Sequence, residues 1–518
     1  MTRLAAPPRP LQLGPVPRRG RAEWVCTLVI ALAAIATRFF GLAQVSSAGT
    51  PIFDEKHYVP QAWDMVESQR DIVLGGIESN PGYGLVVHPP LGKQLIALGE
   101  MVFGYTPMGW RVMVALFGCA TVFMIMALAR QLSASGAVAI MAGVLATCDG
   151  VLLITARFGL LDGFQVFFIV AAAWALARDV RQCAARLRAS SPADWPERGP
   201  RLGYRWWRFT AGVFLGLALS VKWSGLYYIV FFGLFSVGMD AYLRRRAGVR
   251  KPVQSMLLRD APAAIASLAV LPGALYLWSW RAWFSRETSV YRHAMEDGTI
   301  DSSSPLSHLP HALGSWLYYH FSVLKFHSSL TSSSGHSHPW DSKPWSWLVA
   351  ARPVLYSSST SDRCWISRHG CHHAIYLFGT PAIWWLTVPV ILWALWRLVL
   401  RRRLVYLLPL VGFAAGFLPW LASYDRQMYF FYAAPLVPFT ICLLALAGGR
   451  IATWGRVLAA SYPSPQQRYP MYLTTGGLIT ALYLALVIAM FLYFSPILFG
   501  YWVSESWYQS LLWLPSWQ

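Results

Sequence analysis

The sequence predicts an all-α, polytopic membrane protein, and three observations predict it. The 518-residue chain is 56% hydrophobic and only 13% charged, where soluble domains carry about a quarter charged residues. Its apolar runs reach about 20 residues, enough to cross a bilayer core as helix. Its net charge of +20 gathers in the segments between alternate runs, as the positive-inside rule requires.

The runs fall near 24–43, 109–131, 134–153, 158–177, 208–222, 224–242, 259–280, 376–398, 404–422, 429–448 and 472–494, which makes about eleven spans. With the N-terminus in the cytosol, Arg18, Arg19, Arg21, the 178–208 loop, Arg244–Arg246 and Arg401–Arg403 all lie inside. The external segments are then close to neutral. This distribution removes the case for a nucleic-acid partner. The first apolar run is longer than a signal-peptide h-region, so it reads as a retained span. Residues 1–23, rich in Pro and Arg, read as a disordered cytosolic tail. Residues 24–280 form a first module of seven spans, with an external loop at 44–108. A large external loop, 281–375, precedes four further spans within 376–498 and an external tail, 499–518.

The external loops carry helical patterns. Residues 54–68 place Tyr58, Ala62, Met65 and Val66 on one face and Lys56, Asp64 and Glu67 elsewhere. A second helix starts at Pro90, a favoured first-turn residue, and runs through Leu91, Leu95 and Leu98. A third, 306–326, spaces Leu306, Leu309, Leu313, Trp316, Leu317 and Phe321 at three and four. All three suit helices lying in the headgroup plane. The Ser-, His- and Trp-rich stretch 327–373 reads as an irregular binding surface.

Asp54 and Glu55 are the first residues that could carry chemistry. Asp54 could simply cap the 55–68 helix. A carboxylate here could also take the proton from an attacking hydroxyl. Adjacent helical residues point about 100° apart, so only one of the pair can face a given atom, and spacing does not say which. Arg111, Arg157, Lys222 and Arg426 sit at the external ends of spans. Ionisable groups at such depth are paired or functional, and a lipid phosphate would draw several together; snorkelling is the bland alternative. Asp162 reads as structural, with Arg157 as its expected partner. His336, His338, His369, His372 and His373 lack convincing metal-ligand spacing, so no metal is expected. No Gly-rich phosphate loop is present; an activated donor would therefore be lipid-linked. Cys26, Cys119, Cys148, Cys183 and Cys442 read as apolar fillers. Cys364 and Cys371 share the large external loop, where a disulfide can form.

Several motifs resemble those of the protein O-mannosyltransferases, glycosyltransferase family 39 of the GT-C membrane fold. They are Asp54-Glu55, His88-Pro89-Pro90-Leu91-Gly92-Lys93, Ala156-Arg157-Phe158-Gly159-Leu160-Leu161-Asp162, Val221-Lys222-Trp223-Ser224-Gly225-Leu226 and the Trp-rich 338–347 segment. The 281–375 loop has no room for the family's β-trefoil MIR domain, so the chain resembles the compact bacterial, actinobacterial type. The resemblance implies a polyprenyl-phosphate mannose donor, a Ser or Thr hydroxyl of a secreted protein as acceptor, and inversion at the anomeric carbon. It implies no cofactor, nucleotide or metal. Asp54 would be the general base. Arg111, Lys222, Arg426 and Arg157 would bind the donor phosphate. Glu55, Trp340, Trp345 and Trp347 would position acceptor or sugar, and His88 and Lys93 would mark the loop motif. The enzyme would sit in a bacterial plasma membrane with its site outside, and family analogy suggests docking on the Sec translocon. Two rival readings remain from sequence: a GT-C transferase acting on a lipid or cell-wall glycan, and a secondary transporter. Transporters place their charges at mid-bilayer, whereas these cluster at one face.

Overall fold

A computed structural model describes residues 16–44, 49–67, 87–190, 195–336, 338–362, 366, 370–461 and 471–518. The first half runs α1 (Arg21–Phe39), α2 (Glu55–Glu67), α3 (Leu91–Phe103), α4 (Pro107–Ser133), α5 (Gly136–Thr147), α6 (Gly150–Ile154), α7 (Asp162–Ala189), α8 (Trp206–Val221) and α9 (Gly225–Ala247). Next come α10 (Pro252–Ser279), which contains two π-helical stretches, and α11 (His311–Ser329). The second half holds α12 (Pro381–Val399), α13 (Leu404–Leu421), α14 (Phe430–Ile451), α15 (Thr475–Tyr493) and α16 (Glu505–Leu511).

Among the described residues, nine helices are long and apolar enough to cross a membrane. The chain is a multi-pass membrane protein. The other two expected spans are helices, but short ones. α5 has 12 residues and α8 has 16, or about 18 and 24 Å at 1.5 Å per residue. The 134–153 run breaks because Asp149 leaves the helix and caps α6, accepting from the Leu152 N–H at 2.9 Å.

Local signals set the boundaries. Thr106 caps α4 by accepting from the Gly109 N–H at 3.2 Å, with Pro107 at the first helical position. Ser135 caps α5 in the same way. α7 and α14 are the most enclosed spans, while α1, α10 and α15 turn most of their surface outward. Towards one end, charges that would be costly alone are paired. Arg205 binds Asp179 and Asp240, Arg208 also reaches Asp240, and Arg244 binds Asp260.

The helices between the spans follow the predicted pattern with one correction. α2 buries Tyr58, Val59, Ala62 and Met65. α3 begins at Leu91, directly after Pro90. The 306–326 pattern divides: Pro310 stops a 3-10 turn at Pro305–His308, and α11 starts at His311. The 327–373 stretch is less irregular than expected. It contributes β1 (Val354–Ser361) and starts β2 (Cys371–Leu377), which pair antiparallel. A hairpin of β3 (Val457–Ser461) and β4 (Met471–Thr474) lies elsewhere. The C-terminal strand β5 (Val503–Ser504) joins β2 and ties the tail to the β1–β2 sheet. Short strands in a Ser- and His-rich loop, without sustained in-out alternation, leave little periodic signal to read. Cys371 is disulfide-bonded; Cys364, its expected partner, and His369 lie outside the described residues.

Candidate active site

The site begins at the 52–55 turn. Phe53 adopts a left-handed φ of +52°, which costs a non-glycine residue roughly 1–2 kcal/mol. Two anchors hold it. The Phe53 ring stacks on Tyr356 at 4.2 Å. Glu55, fully buried, accepts four hydrogen bonds: from Arg111 Nε and Nη2 at 2.8 and 2.7 Å, the Gly159 N–H at 2.8 Å and the Ile52 N–H at 3.1 Å. Gly159 is required there, because a Cβ would sit 2.9 Å from the Trp110 carbonyl. With Glu55 fixed into the scaffold, Asp54 faces a cavity of about 710 Å³. Protein surrounds its carboxyl, and this burial pushes it up to about 6, against the smaller opposing pull of Lys222 and His57.

Lys222 lines the same cavity. Its Nζ meets both Asp162 oxygens, at 2.8 and 2.9 Å. Asp162 therefore pairs with Lys222 and lines the cavity, rather than pairing with Arg157. The segment after α8 is held by a directed chain. The Trp223 indole can only donate, and does so to Tyr276 Oη at 2.8 Å. His320 Nδ1 must donate to the Trp316 carbonyl, at 2.8 Å, so its Nε2 accepts from Tyr276 at 2.6 Å. Gln165 completes the support by donating to the Lys222 carbonyl at 3.1 Å.

Arg426 is the other cation on the cavity. Its Nη2 approaches His327 Nδ1 at 3.3 Å. Guanidinium only donates, so the His327 proton sits on Nε2. Burial, helped by Arg426 and Lys222, pushes His327 down to about 4. The Arg426 Nε is buried with no hydrogen-bond partner among the described residues. His88 stacks near His327, with ring centroids 5.8 Å apart, and burial holds it well below its ordinary range. His88 also takes a left-handed φ, +67°. Lys93, fully buried, steadies that turn by donating to the Val87 carbonyl at 2.9 Å.

Three expected placements change. Arg111 is consumed by Glu55 and the Leu42 carbonyl at 3.2 Å, away from the cavity. Arg157 terminates α1, donating to the carbonyls of Thr37, Arg38 and Phe40 at 2.9–3.2 Å. Neither lines the cavity. The Trp segment braces the Arg426 loop instead of facing the chamber. Trp347 is buried and donates to Ser342 at 2.9 Å, Trp345 points outward to Tyr424, and Trp340 packs edge-on to Tyr376. Lys343 of the same segment donates to the Arg426 carbonyl at 3.0 Å. Sequence reasoning missed His320 and His327. Their separation of seven, two turns on one helical face, was the available signal.

Two carboxylates, a lysine and a guanidinium whose Nε has no partner among the described residues share one chamber. Exposed Leu226, Phe321 and Leu324 also line it, giving it an apolar side. The class defined is a polytopic membrane protein whose polar chamber suits an anion with a greasy tail. Comparison with known proteins narrows this. Residues 106–284 match the family model for dolichyl-phosphate-mannose-protein mannosyltransferase, and 312–517 match the C-terminal four-span region of protein O-mannosyltransferase. A Corynebacterium glutamicum polyprenol-phosphate-mannose–protein mannosyltransferase is 60% identical over 95% of this chain and 92% of its own length. The Mycobacterium tuberculosis protein of that name is 43% identical over 98% of this chain and 93% of its own. In fold, the chain is similar to the Saccharomyces cerevisiae protein O-mannosyltransferase Pmt1–Pmt2 complex bound to the sugar donor, with a TM-score of 0.71, 16% identity, and 97% and 93% coverage. The chain belongs to the protein O-mannosyltransferase family.

Proposed function

We propose that the protein transfers mannose from polyprenyl-phosphate mannose to Ser or Thr hydroxyls of secreted proteins, at the external face of a bacterial plasma membrane. The single observation that carries this reading is Asp54 facing the same chamber as Arg426, whose Nε has no partner. The names of the close bacterial relatives supply donor and acceptor class.

The chemistry follows from the chamber. The acceptor oxygen attacks the anomeric carbon on the side opposite the phosphate, and Asp54 takes its proton. The C1–O bond breaks, and its electron pair leaves with the polyprenyl phosphate. Arg426 offers charge-assisted hydrogen bonds to that phosphate, and Lys222 adds positive charge while Asp162 holds it in place. One displacement inverts the anomeric centre. A base of this kind contributes roughly 10²- to 10⁴-fold. The polyprenyl tail leaves past Leu226, Phe321 and Leu324. The acceptor arrives as an extended segment from the Sec translocon.

Purified protein given radiolabelled polyprenyl-phosphate mannose and a Thr-containing peptide should label the peptide. Donor binding without labelling of any peptide or secreted protein would refute the acceptor class.

A further inference from the structure

A second cavity lies at the opposite end of the bundle. It measures about 700 Å³ and is lined by Arg397, Leu400, Arg401, Arg402, Arg403 and Arg450. Five of its six lining residues are arginines. α13 separates it from the catalytic chamber: Arg403 precedes its start and Trp420, near its other end, lines the chamber. At 1.5 Å per residue that separation is about 25 Å. The charge distribution assigns this end to the cytosol.

The turn that carries four of these arginines is ordered, although Arg401, Arg402, Arg403 and Arg450 are exposed. The chain doubles back after α12, with the Arg403 N–H donating to the Arg397 carbonyl at 3.1 Å. Arg402 holds a left-handed φ of +51° in that turn, a conformation unfavourable for a non-glycine residue. Trp396 backs both Arg397 and Arg401, at 5.7 and 5.3 Å from its ring. Arg450 arrives from the last turn of another helix, α14. The Arg397 Nε is buried without a hydrogen-bond partner among the described residues.

Like charges converging on one cavity repel unless an anion sits between them. Among the described residues, Arg397, Arg401, Arg402 and Arg450 have no carboxylate partner. Helix C-termini of α12 and α14 end here, but each supplies only about half a negative charge. Ordinary snorkelling would spread these side chains apart into the headgroups. One face of α12 explains what the anion is attached to. Leu392, Leu395, Val399 and Leu400 are exposed along it and run up to the cavity rim. Planar guanidiniums match phosphate oxygens in pairs, and basic pockets between spans on this side bind phosphorylated headgroups.

We propose that this pocket binds the phosphate headgroup of an anionic membrane lipid whose acyl chains lie along α12, in the leaflet opposite the catalytic chamber. The bound lipid bridges α12, the 400–403 turn and α14. It thereby steadies α13, which carries Trp420 towards the chamber.

Native mass spectrometry of the full chain tests this, after exchange into mixed phosphatidylglycerol and phosphatidylcholine. Wild type should retain phosphatidylglycerol selectively. The R401A/R402A/R450A variant should lose that retention, by roughly fivefold for each charge removed. R401K/R402K/R450K, which keeps charge and topology signals, should show an intermediate loss. A wild-type arm needs no variant: Tm should be higher in phosphatidylglycerol than in phosphatidylcholine nanodiscs, and added salt should narrow the difference. Equal retention by wild type and both variants, or no Tm difference between the two lipids, would overturn the proposal. So would full displacement of the lipid by inorganic phosphate at equal concentration, which would mark a site for a soluble anion. None of these readouts depends on mannose transfer.

Discussion

Arg111 grips Glu55 through both carboxylate oxygens, at 2.7 and 2.8 Å, and neither side chain is exposed. This pair decides the roles of the two neighbouring acids. Glu55 builds the turn, and Asp54 is left to face the chamber.

Breaking that pair should cost stability before it costs chemistry. Removing one partner of a buried ion pair is worth about 3–5 kcal/mol. Glu55→Ala should therefore lower Tm sharply. The double variant Glu55→Gln/Arg111→Met should recover part of the loss. An unchanged Tm with lost transfer would instead place Glu55 on the acceptor.

Transfer should depend on pH in a way that reports Asp54. Burial raises its carboxyl from the ordinary aspartate range to about 6. A base works only as its anion, so kcat/KM should fall as pH drops through about 6. An acid limb near 4 would show that the working carboxyl is in water, not in this chamber.

Arg426 should act on the donor. Hydrogen bonds to charged groups contribute about 1.5–3 kcal/mol. Arg426→Ala should thus weaken donor affinity by about 10- to 150-fold, measured by titration with polyprenyl-phosphate mannose. His327→Ala should weaken it less, because His327 only orients the guanidinium. Unchanged donor affinity in Arg426→Ala would move the phosphate elsewhere.

Much of this was legible in the sequence, and the remainder was hidden for physical reasons. Span positions are written in long apolar runs, so each expected span contains a helix. The break at Asp149 was not readable, because a single capping acid lowers the hydropathy of a long apolar run too little to divide it. Asp54, Lys222 and Arg426 could be singled out because charges beside a bilayer are costly. Their pairing could not: Glu55 and Arg111 are 56 residues apart, as are many other possible couples. Arg157 had the same charge and position signal as Lys222, yet its partners are backbone carbonyls, which carry no sequence mark. The placement of the Trp segment was hidden for a similar reason. Aromatic density marks contact with something, and the contacts that Trp345 and Trp347 make are with Tyr424 and Ser342, away from the chamber lining.

The most direct test is mannose transfer by purified Asp54→Asn beside wild type, with donor binding and Tm measured on the same samples. Donor affinity and Tm should match wild type while transfer falls by at least about 10²-fold. Transfer within a few-fold of wild type would contradict the assignment of Asp54 as the base.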